Sequence, residues 1–145
     1  MILLSILLAA AKQPDTADTP IEINADVMEC EQDKGTCIAT GNAKAFETKN
    51  NVTTTITANQ LFADLSSKDH KITKVRAEGT VIFTKEDLTV NADFADYDPE
   101  SKIANFHADD GKRILITKGK STIQGDRGSV NMINNKYKVT SKTRT

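Results

Sequence analysis

The sequence has few of the side chains that most often carry catalysis or bind metals. It contains two histidines, two cysteines and no tryptophan among 145 residues. His70 lies in a polar stretch typical of a turn, His107 lies at the end of an apolar stretch, and neither has a metal-ligating partner at a usable spacing. The sequence also lacks a nucleophile elbow, a phosphate-binding loop and a dinucleotide-binding fingerprint. We therefore expect a protein that is not an enzyme and that needs no metal or other cofactor.

The sequence also lacks an excess of charge of one sign. Its 19 basic and 20 acidic residues give a formal net charge of -1 and are spread along the chain, which argues against a nucleic-acid partner. Basic residues recur towards the C-terminus without interleaved aromatic residues. We interpret them as a solvated face, with a rim for an anionic ligand as the alternative. They are Lys112, Arg113, Lys118, Lys120, Arg127, Lys136, Lys138, Lys142 and Arg144.

No apolar run is long enough to cross a membrane as a helix, which needs roughly 20 residues. The longest run, residues 2–11, ends in three alanines and precedes a polar segment that contains a proline. This pattern is typical of a secretory signal peptide with its cleavage site. We expect residues 1–11 to be removed on export, so that the mature protein lies in an oxidising compartment. The alternative is a buried strand or helix of the mature domain.

The rest of the chain has the length of one domain. We expect a polar linker at residues 12–19, the folded domain at 20–139 and a C-terminal tail at 140–145. Apolar and polar residues alternate with a period of two in the domain, which predicts short strands that each bury one face. The stretches are IEINA, NVTTTITA, KVRAEGTVIF, LTVNADF, RILITKG and STIQGD. Polar turn residues separate them and no helical period appears, so the predicted class is all-β.

A four-residue phrase recurs along the predicted strands. It reads INAD at 23–26, ITAN at 56–59, VNAD at 90–93 and IQGD at 123–126, so the small residue recurs after 33, 34 and 33 residues. Such a period is typical of stacked units that cover one another's apolar faces. We interpret the small residue and its acidic or amide neighbour as a sharp corner, where the polar side chain caps backbone N–H groups. A ladder of calcium sites is the alternative.

The two cysteines flank one predicted turn. If Asp33 and Lys34 form a two-residue hairpin loop, Cys30 and Cys37 face each other on paired strands. Opposed side chains in a non-hydrogen-bonded antiparallel pair lie close enough to form a disulfide. We therefore predict a disulfide between Cys30 and Cys37, with two free thiols on one face as the alternative.

Taken together, these features resemble the LptA family of periplasmic lipopolysaccharide-transport proteins, within the OstA-like superfamily. The resemblance covers residues 20 to about 139. The family's Pro-Ile-x-Ile-x-small-Asp phrase stands here as PIEINAD at 20–26, its Thr-Gly-Asn-Val turn as TGNA at 40–43 and its Ile-x-Ala-Asp as ITAN at 56–59. The match continues through GTV at 79–81, AD at 92–93 with Tyr97 beyond it, and IQGD at 123–126. Ala43, Asn59 and residues 108–111 depart from the family pattern, and the cysteine pair is not part of it.

The resemblance implies repeated short antiparallel strands that form a twisted, V-shaped β-jellyroll with an open apolar groove. We place on its inner face Ile21, Ile23, Ile38, Ile56, Val81, Phe83, Val90, Phe94, Tyr97, Phe106, Ile114, Ile116, Ile123 and Met132. The family's lipid contacts correspond best to Ile21, Phe83 and Tyr97.

The function that the resemblance implies is a periplasmic bridge between the inner and outer membranes, which binds lipopolysaccharide and shields its lipid A acyl chains in the groove. The implied partners are inner-membrane LptC-like proteins, outer-membrane LptD-like proteins and further copies of the chain joined head to tail. One alternative is a structural or adhesive secreted β-solenoid with a packed interior. Another is an LptC-like or LptD N-terminal-like member of the same superfamily, and an enzyme on a solenoid scaffold ranks last.

Overall fold

Every regular element of the protein that the structure describes is a β-strand. The structure is a computed structural model and describes residues 2–5 and 21–141. The strands are β1 (Ile2–Ser5), β2 (Glu22–Ala25), β3 (Val27–Glu31), β4 (Thr36–Lys49), β5 (Val52–Leu65), β6 (Ile72–Lys85), β7 (Leu88–Asp98), β8 (Ile103–His107), β9 (Ile114–Lys118), β10 (Ser121–Gly125), β11 (Arg127–Asn131) and β12 (Lys136–Thr140). The expectation of an all-β fold is confirmed.

The strands form one antiparallel sheet that does not close on itself. Its main order is β1-β2-β4-β5-β6-β7-β8-β11-β12, while β3 pairs with β4, and β9 pairs with β7 and β10. Most neighbours in the sheet are also neighbours in sequence, because short polar turns join consecutive strands as hairpins.

The four long strands β4 to β7 bend once each, near their midpoints. The pairing register shifts at each bend, between Thr40 and Ala43 on β4 and between Glu78 and Val81 on β6. Gly41 and Gly79 stand at these shifts with φ values of 83° and 84°. This left-handed conformation is open to glycine at little cost, and it is how a bulge turns a strand.

The bends align into a crease that divides the sheet into two leaves. The first leaf contains β1, β2, β9 and β10, together with the adjoining parts of the four long strands. The second leaf contains β3, β8, β11 and β12, together with the remaining parts of the long strands. The two leaves make the V shape that the resemblance implied.

The repeated small-acidic phrase lies at the crease, where its polar side chains hold neighbouring bends together. Asp26 accepts a hydrogen bond from Asn42 Nδ2 at 2.9 Å, and Asp93 accepts one from the backbone N–H of Asp109 at 2.7 Å. A Cβ atom on Gly79 would lie 2.5 Å from Asn59 Nδ2, so the amide of Asn59 fits at this corner only because residue 79 has no side chain. The interpretation of the phrase as a capped corner is confirmed at Asp93.

The crease also changes which residues face inward on two of the long strands. On β7 the buried positions are Val90 and Ala92 before the bend and Ala95 and Tyr97 after it, so the even-odd alternation reverses at Asp93. The same reversal occurs on β5, where Ala58 is buried before the bend and Leu61 after it.

The structure joins Cys30 and Cys37 by a disulfide. The two residues lie opposite each other on β3 and β4, with their Cα atoms 4.0 Å apart. Residues 32–35 form the intervening turn, which is closed by a hydrogen bond from the Gly35 N–H to the Gln32 carbonyl oxygen.

The N-terminal segment is described in part. Ile2–Ser5, within the segment expected to be a signal peptide, forms β1 and pairs with β2 at the edge of the first leaf. Residues 6–19 lie outside the described residues, so the signal peptide and the linker stay predictions. At the other end β12 reaches Thr140, one residue beyond the expected domain, and residues 142–145 of the expected tail are not described.

Candidate functional site

The inner face of the first leaf carries a continuous row of apolar side chains. The row crosses β2, β4, β5, β6, β7 and β9, because the pairing register places one member beside the next on each strand. No member is more than 5 % exposed. In strand order they are Ile23, Ala45, Ile56, Phe83, Val90 and Ile116.

The inner face of the second leaf is flatter, because many of its side chains are small. One row crosses it from β4 to β11 and consists of Cys37, Ala63, Val75, Tyr97, Ala104 and Val130. A second row, nearer the crease, consists of Ala39, Leu61, Ala77, Ala95 and Phe106. All of these residues are buried.

The two leaves contact each other through aromatic side chains. The Phe83 ring of the first leaf packs edge-on against the Phe106 ring of the second, with centroids 5.4 Å apart. Nearby, a cavity of about 20 Å³ lies among Ile21, Ile56 and Tyr97. Such a cavity holds about one water molecule. A hydrocarbon chain can therefore enter at this point only if the leaves move apart.

Polar side chains replace the apolar ones at the side of the V opposite the crease, where turns of the two leaves face each other. We call this side the mouth. Glu47 of the first leaf is buried there and accepts a hydrogen bond from the Tyr97 hydroxyl of the second leaf at 2.7 Å. Its other carboxylate oxygen lies 3.4 Å from Lys102 Nζ, in the turn between β7 and β8. Glu47 thus links the two leaves.

A second set of contacts crosses the mouth beside the first. Lys85, at the end of β6, donates to Asn135 Oδ1 at 3.0 Å and to the Met132 carbonyl oxygen at 3.4 Å. Both acceptors lie in the turn between β11 and β12, and the Met132 N–H donates to the carbonyl oxygen of Lys102 at 2.9 Å. These contacts border a cavity of about 400 Å³ between the leaves.

Most side chains that the sequence places in the groove lie on the inner faces. Besides Val90, nine of them are buried, namely Ile21, Ile23, Ile56, Val81, Phe83, Tyr97, Phe106, Ile114 and Ile116. Val90 is buried with them, and Met132 is half-buried at the mouth. Ile123 continues the inner row beside Ile116 but is 41 % exposed, because β10 is an edge strand. Whether these residues contact a lipid stays a prediction.

Two of the expected groove residues are corrected by the structure. Phe94 lies on the outer face and stacks on His107, with ring centroids 4.6 Å apart, because the alternation reverses at Asp93 just before it. Ile38 is 39 % exposed on the outer face, because the inward positions of its strand are Cys37 and Ala39. The larger apolar residue was expected inside, but a strand offers only alternate positions to one face.

The polar groups at the mouth were not expected from the sequence. Glu47 follows Ala43 and Ala45 at the inward spacing of β4, so a carboxylate at a core-facing position was the available signal. Its partners Tyr97 and Lys102 are 50 and 55 residues away in sequence, and no local pattern connects them.

Two kinds of feature are absent from the part of the chain that is described, namely a metal-ligating cluster and a membrane-spanning helix. Residues 2–5 and 21–141 contain no group of three or more His, Cys, Asp or Glu side chains placed to hold a metal ion. They also form no apolar helix of membrane-spanning length.

Comparisons with known proteins agree with this architecture. The family model described as LptA/(LptD N-terminal domain) LPS transport protein matches residues 22–136. No curated protein sequence matches the chain significantly. Among solved structures, the chain is similar in fold to LptH, the LptA homologous periplasmic component of the lipopolysaccharide transport device from Pseudomonas aeruginosa. The two chains are 12 % identical, with a TM-score of 0.70, over 88 % of this chain and 86 % of LptH.

Proposed function

The chain belongs to the LptA/(LptD N-terminal domain) family of LPS transport proteins, and we propose that it carries lipopolysaccharide across the periplasm between the inner and outer membranes. The lipid A acyl chains lie between the two leaves, and the sugar part stays outside. The observation that carries the proposal is the pair of facing apolar inner surfaces on one sheet that does not close. The likeness in fold to a periplasmic protein supports the location.

Hydrocarbon chains suit this interior, because burial of apolar surface needs no directional partner and contributes about 0.8 kcal/mol per methylene. The alanines of the second leaf leave space that longer side chains would fill, so a separated pair of leaves exposes a smooth apolar slot. The proposal gives the chain no chemical step. Lipid enters when the two leaves of the sheet separate, and it is released by the same movement.

The proposal is tested by the lipid that the protein retains. We expect mass spectrometry of organic extracts of the purified protein to find lipopolysaccharide, and the purified protein to bind added lipopolysaccharide saturably. A structural or adhesive β-solenoid, the competing function, would retain no lipid and would bind none. Absence of binding after refolding in the presence of lipopolysaccharide would count against the carrier function.

The bridging part of the proposal concerns the ends of the sheet. β12 ends the main order of the sheet on one side, and β1 covers β2 on the other. Removal of residues 1–11 on export would leave the outer edge of β2 free, and a free strand edge is a template for another strand. We infer that this edge pairs with the β12 edge of another copy, or with LptC-like and LptD-like partners that share the fold. Such a head-to-tail contact builds open filaments.

Light scattering checks the inference about assembly. The exported form, which lacks residues 1–11, is expected to increase in mass with concentration beyond the dimer, while the form that retains β1 stays smaller. A mature protein that remains monomeric at high concentration would contradict the bridge and leave a single-copy lipid carrier.

A further inference from the structure

The cavity at the mouth combines cationic and apolar walls. It measures about 400 Å³. Its cations are Lys49, Lys85 and Lys102, its carboxylates are Glu47 and Glu86, and apolar contacts come from Val52, Met132 and Ile133. The neighbouring small cavity between the leaves shares Glu47 and Thr54 with it, so the two spaces are adjacent.

The cations of this cavity differ in how far their charge is balanced. Lys102 is paired with the buried Glu47, and both side chains are nearly removed from solvent, at 12 % and 9 % exposure. Lys85 is half-buried, and among the described residues its ammonium group donates only to the neutral oxygens of Met132 and Asn135.

Lys49 lies exposed at the end of β4, on the lip of the same cavity. Within the described residues no carboxylate lies at ion-pair distance from Lys49 or Lys85. A partly desolvated ammonium group without a counter-ion is stabilised by an anion that enters its cavity. The cavity therefore carries three cations and two carboxylates, and within the described residues only Lys102 and Glu47 among them form an ion pair, so that Lys49 and Lys85 stay available to an anion.

We propose that the mouth cavity binds the phosphate-bearing head of an acylated lipid, with Lys85 and Lys49 as the groups that contact the phosphate. The proposal rests on the proposed function, because it places the acyl chains of the same lipid between the leaves. Glu47, with its partners Tyr97 and Lys102, stands at the boundary between the polar cavity and the apolar interior.

The polarity of the inner face supports this orientation of the lipid. Along β6 the inward residues are Val81 and Phe83, both buried and apolar, and then Lys85 at the mouth. Along β4 they are Ala43, Ala45 and then Glu47. An amphiphile whose tails lie on the apolar rows has its head at the level of Lys85. The phosphate is a suitable anion because lysine binds phosphate as a compact point charge.

The test compares three probes on the full-length protein and its variants. The probes are lipid A with its phosphates, the same lipid A after chemical removal of the phosphates, and inorganic phosphate. The variants are Lys85→Gln and Lys49→Gln, with Lys120→Gln as the control, since Lys120 is exposed in the turn between β9 and β10 and does not line the cavity. Dissociation constants are measured by calorimetry at low and at moderate salt.

We expect the wild-type protein to prefer the phosphorylated lipid by about tenfold or more, the effect of one charge-assisted hydrogen bond. Lys85→Gln and Lys49→Gln should each lower this preference, while Lys120→Gln retains it. Because Lys85 also holds the turn between β11 and β12, Lys49→Gln is the variant that separates ligand binding from folding. Inorganic phosphate should bind far more weakly than the phosphorylated lipid.

Other outcomes overturn the proposal. Equal affinity of the wild-type protein for both lipids, or an unchanged preference in the Lys85 and Lys49 variants, removes the phosphate site and leaves the lipid carrier intact. Inorganic phosphate that binds as tightly as the phosphorylated lipid shows a site for free anions rather than a head-group site. Failure of both lipids to bind removes the proposed function and this inference with it.

Discussion

Removal of the Tyr97 hydroxyl should make the protein less stable and its lipid binding tighter. The hydroxyl donates to Glu47 across the mouth at 2.7 Å, and both residues are buried, at 4 % and 8 % exposure. Tyr97→Phe keeps the ring on the inner face and leaves one oxygen of a buried carboxylate with a partner fewer. Loss of a hydrogen bond to a buried charged group costs about 1–3 kcal/mol. The melting temperature should fall by several degrees.

The same change should favour ligand entry. If the leaves must separate to admit an acyl chain, the bond between Tyr97 and Glu47 stabilises the closed state alone. Its loss shifts the equilibrium towards the open state by the same 1–3 kcal/mol, so that lipid affinity rises by about 5- to 150-fold. Because the bond exists only in the closed state, its loss should lower the melting temperature and raise the lipid affinity. The opposite signs of these two effects are therefore diagnostic of a closed state that must open.

The assay pairs thermal unfolding with a titration of lipopolysaccharide on the same preparations. Tyr137→Phe is the matched control, because Tyr137 is 37 % exposed on β12 and should change neither quantity. A variant that loses both stability and lipid affinity would refute the reasoning, since it would mean that the hydroxyl contacts the ligand. An unchanged melting temperature would show that the hydrogen bond contributes nothing to the closed state.

Three further predictions follow from the geometry. Phe83→Asp should abolish lipid binding or folding while Thr84→Asp does neither, because Phe83 is fully buried on the inner face and Thr84 points outward. Lipopolysaccharide titration and circular dichroism measure the two effects, and equal effects of the two variants would contradict this placement. The oxidised protein should show no reactive thiols when denatured, and two free thiols would exclude the Cys30–Cys37 bridge. Reduction of the bridge should lower the free energy of unfolding by about 2 kcal/mol without unfolding the domain, because the closed loop is short. The Lys118 ammonium group donates to Asp87 and lowers the pKa of that carboxyl, so the stability from this pair is present above the pKa of Asp87 in the unfolded chain and is lost as the pH falls through its pKa in the folded protein. Lys118→Gln should raise the pKa of Asp87 in an NMR titration, and an unchanged value would contradict the pairing.

Several features of the fold could be predicted from the sequence, because each depends on residues close together in the chain. Alternation with a period of two predicted the strands, since the side chains of a strand point to its two faces in turn. The phrase that recurs every 33 or 34 residues marked where the chain crosses the crease, because a small residue and a short polar side chain are what such a bend needs. The register across the turn at 32–35 placed Cys30 opposite Cys37 for the same local reason.

The positions of individual residues beyond a bend depended on the tertiary structure. Phe94 was expected inside, but the bend reverses the alternation at Asp93 and places its side chain on the outer face. No local pattern announces whether a bulge keeps or reverses the inward face, since that depends on how neighbouring strands pair across the crease.

The mouth is the part of the molecule that only the tertiary structure decided. Glu47, Tyr97 and Lys102 are ordinary residues of separate strands and turns until the sheet folds, when two leaves bring them to within hydrogen-bond distance across 50 or more residues of sequence. The alternation of β4 predicts that Glu47 faces inward, but it does not predict which side chains Glu47 contacts there. Contacts between leaves depend on the angle and twist of the whole sheet, and these are set by all its strands together.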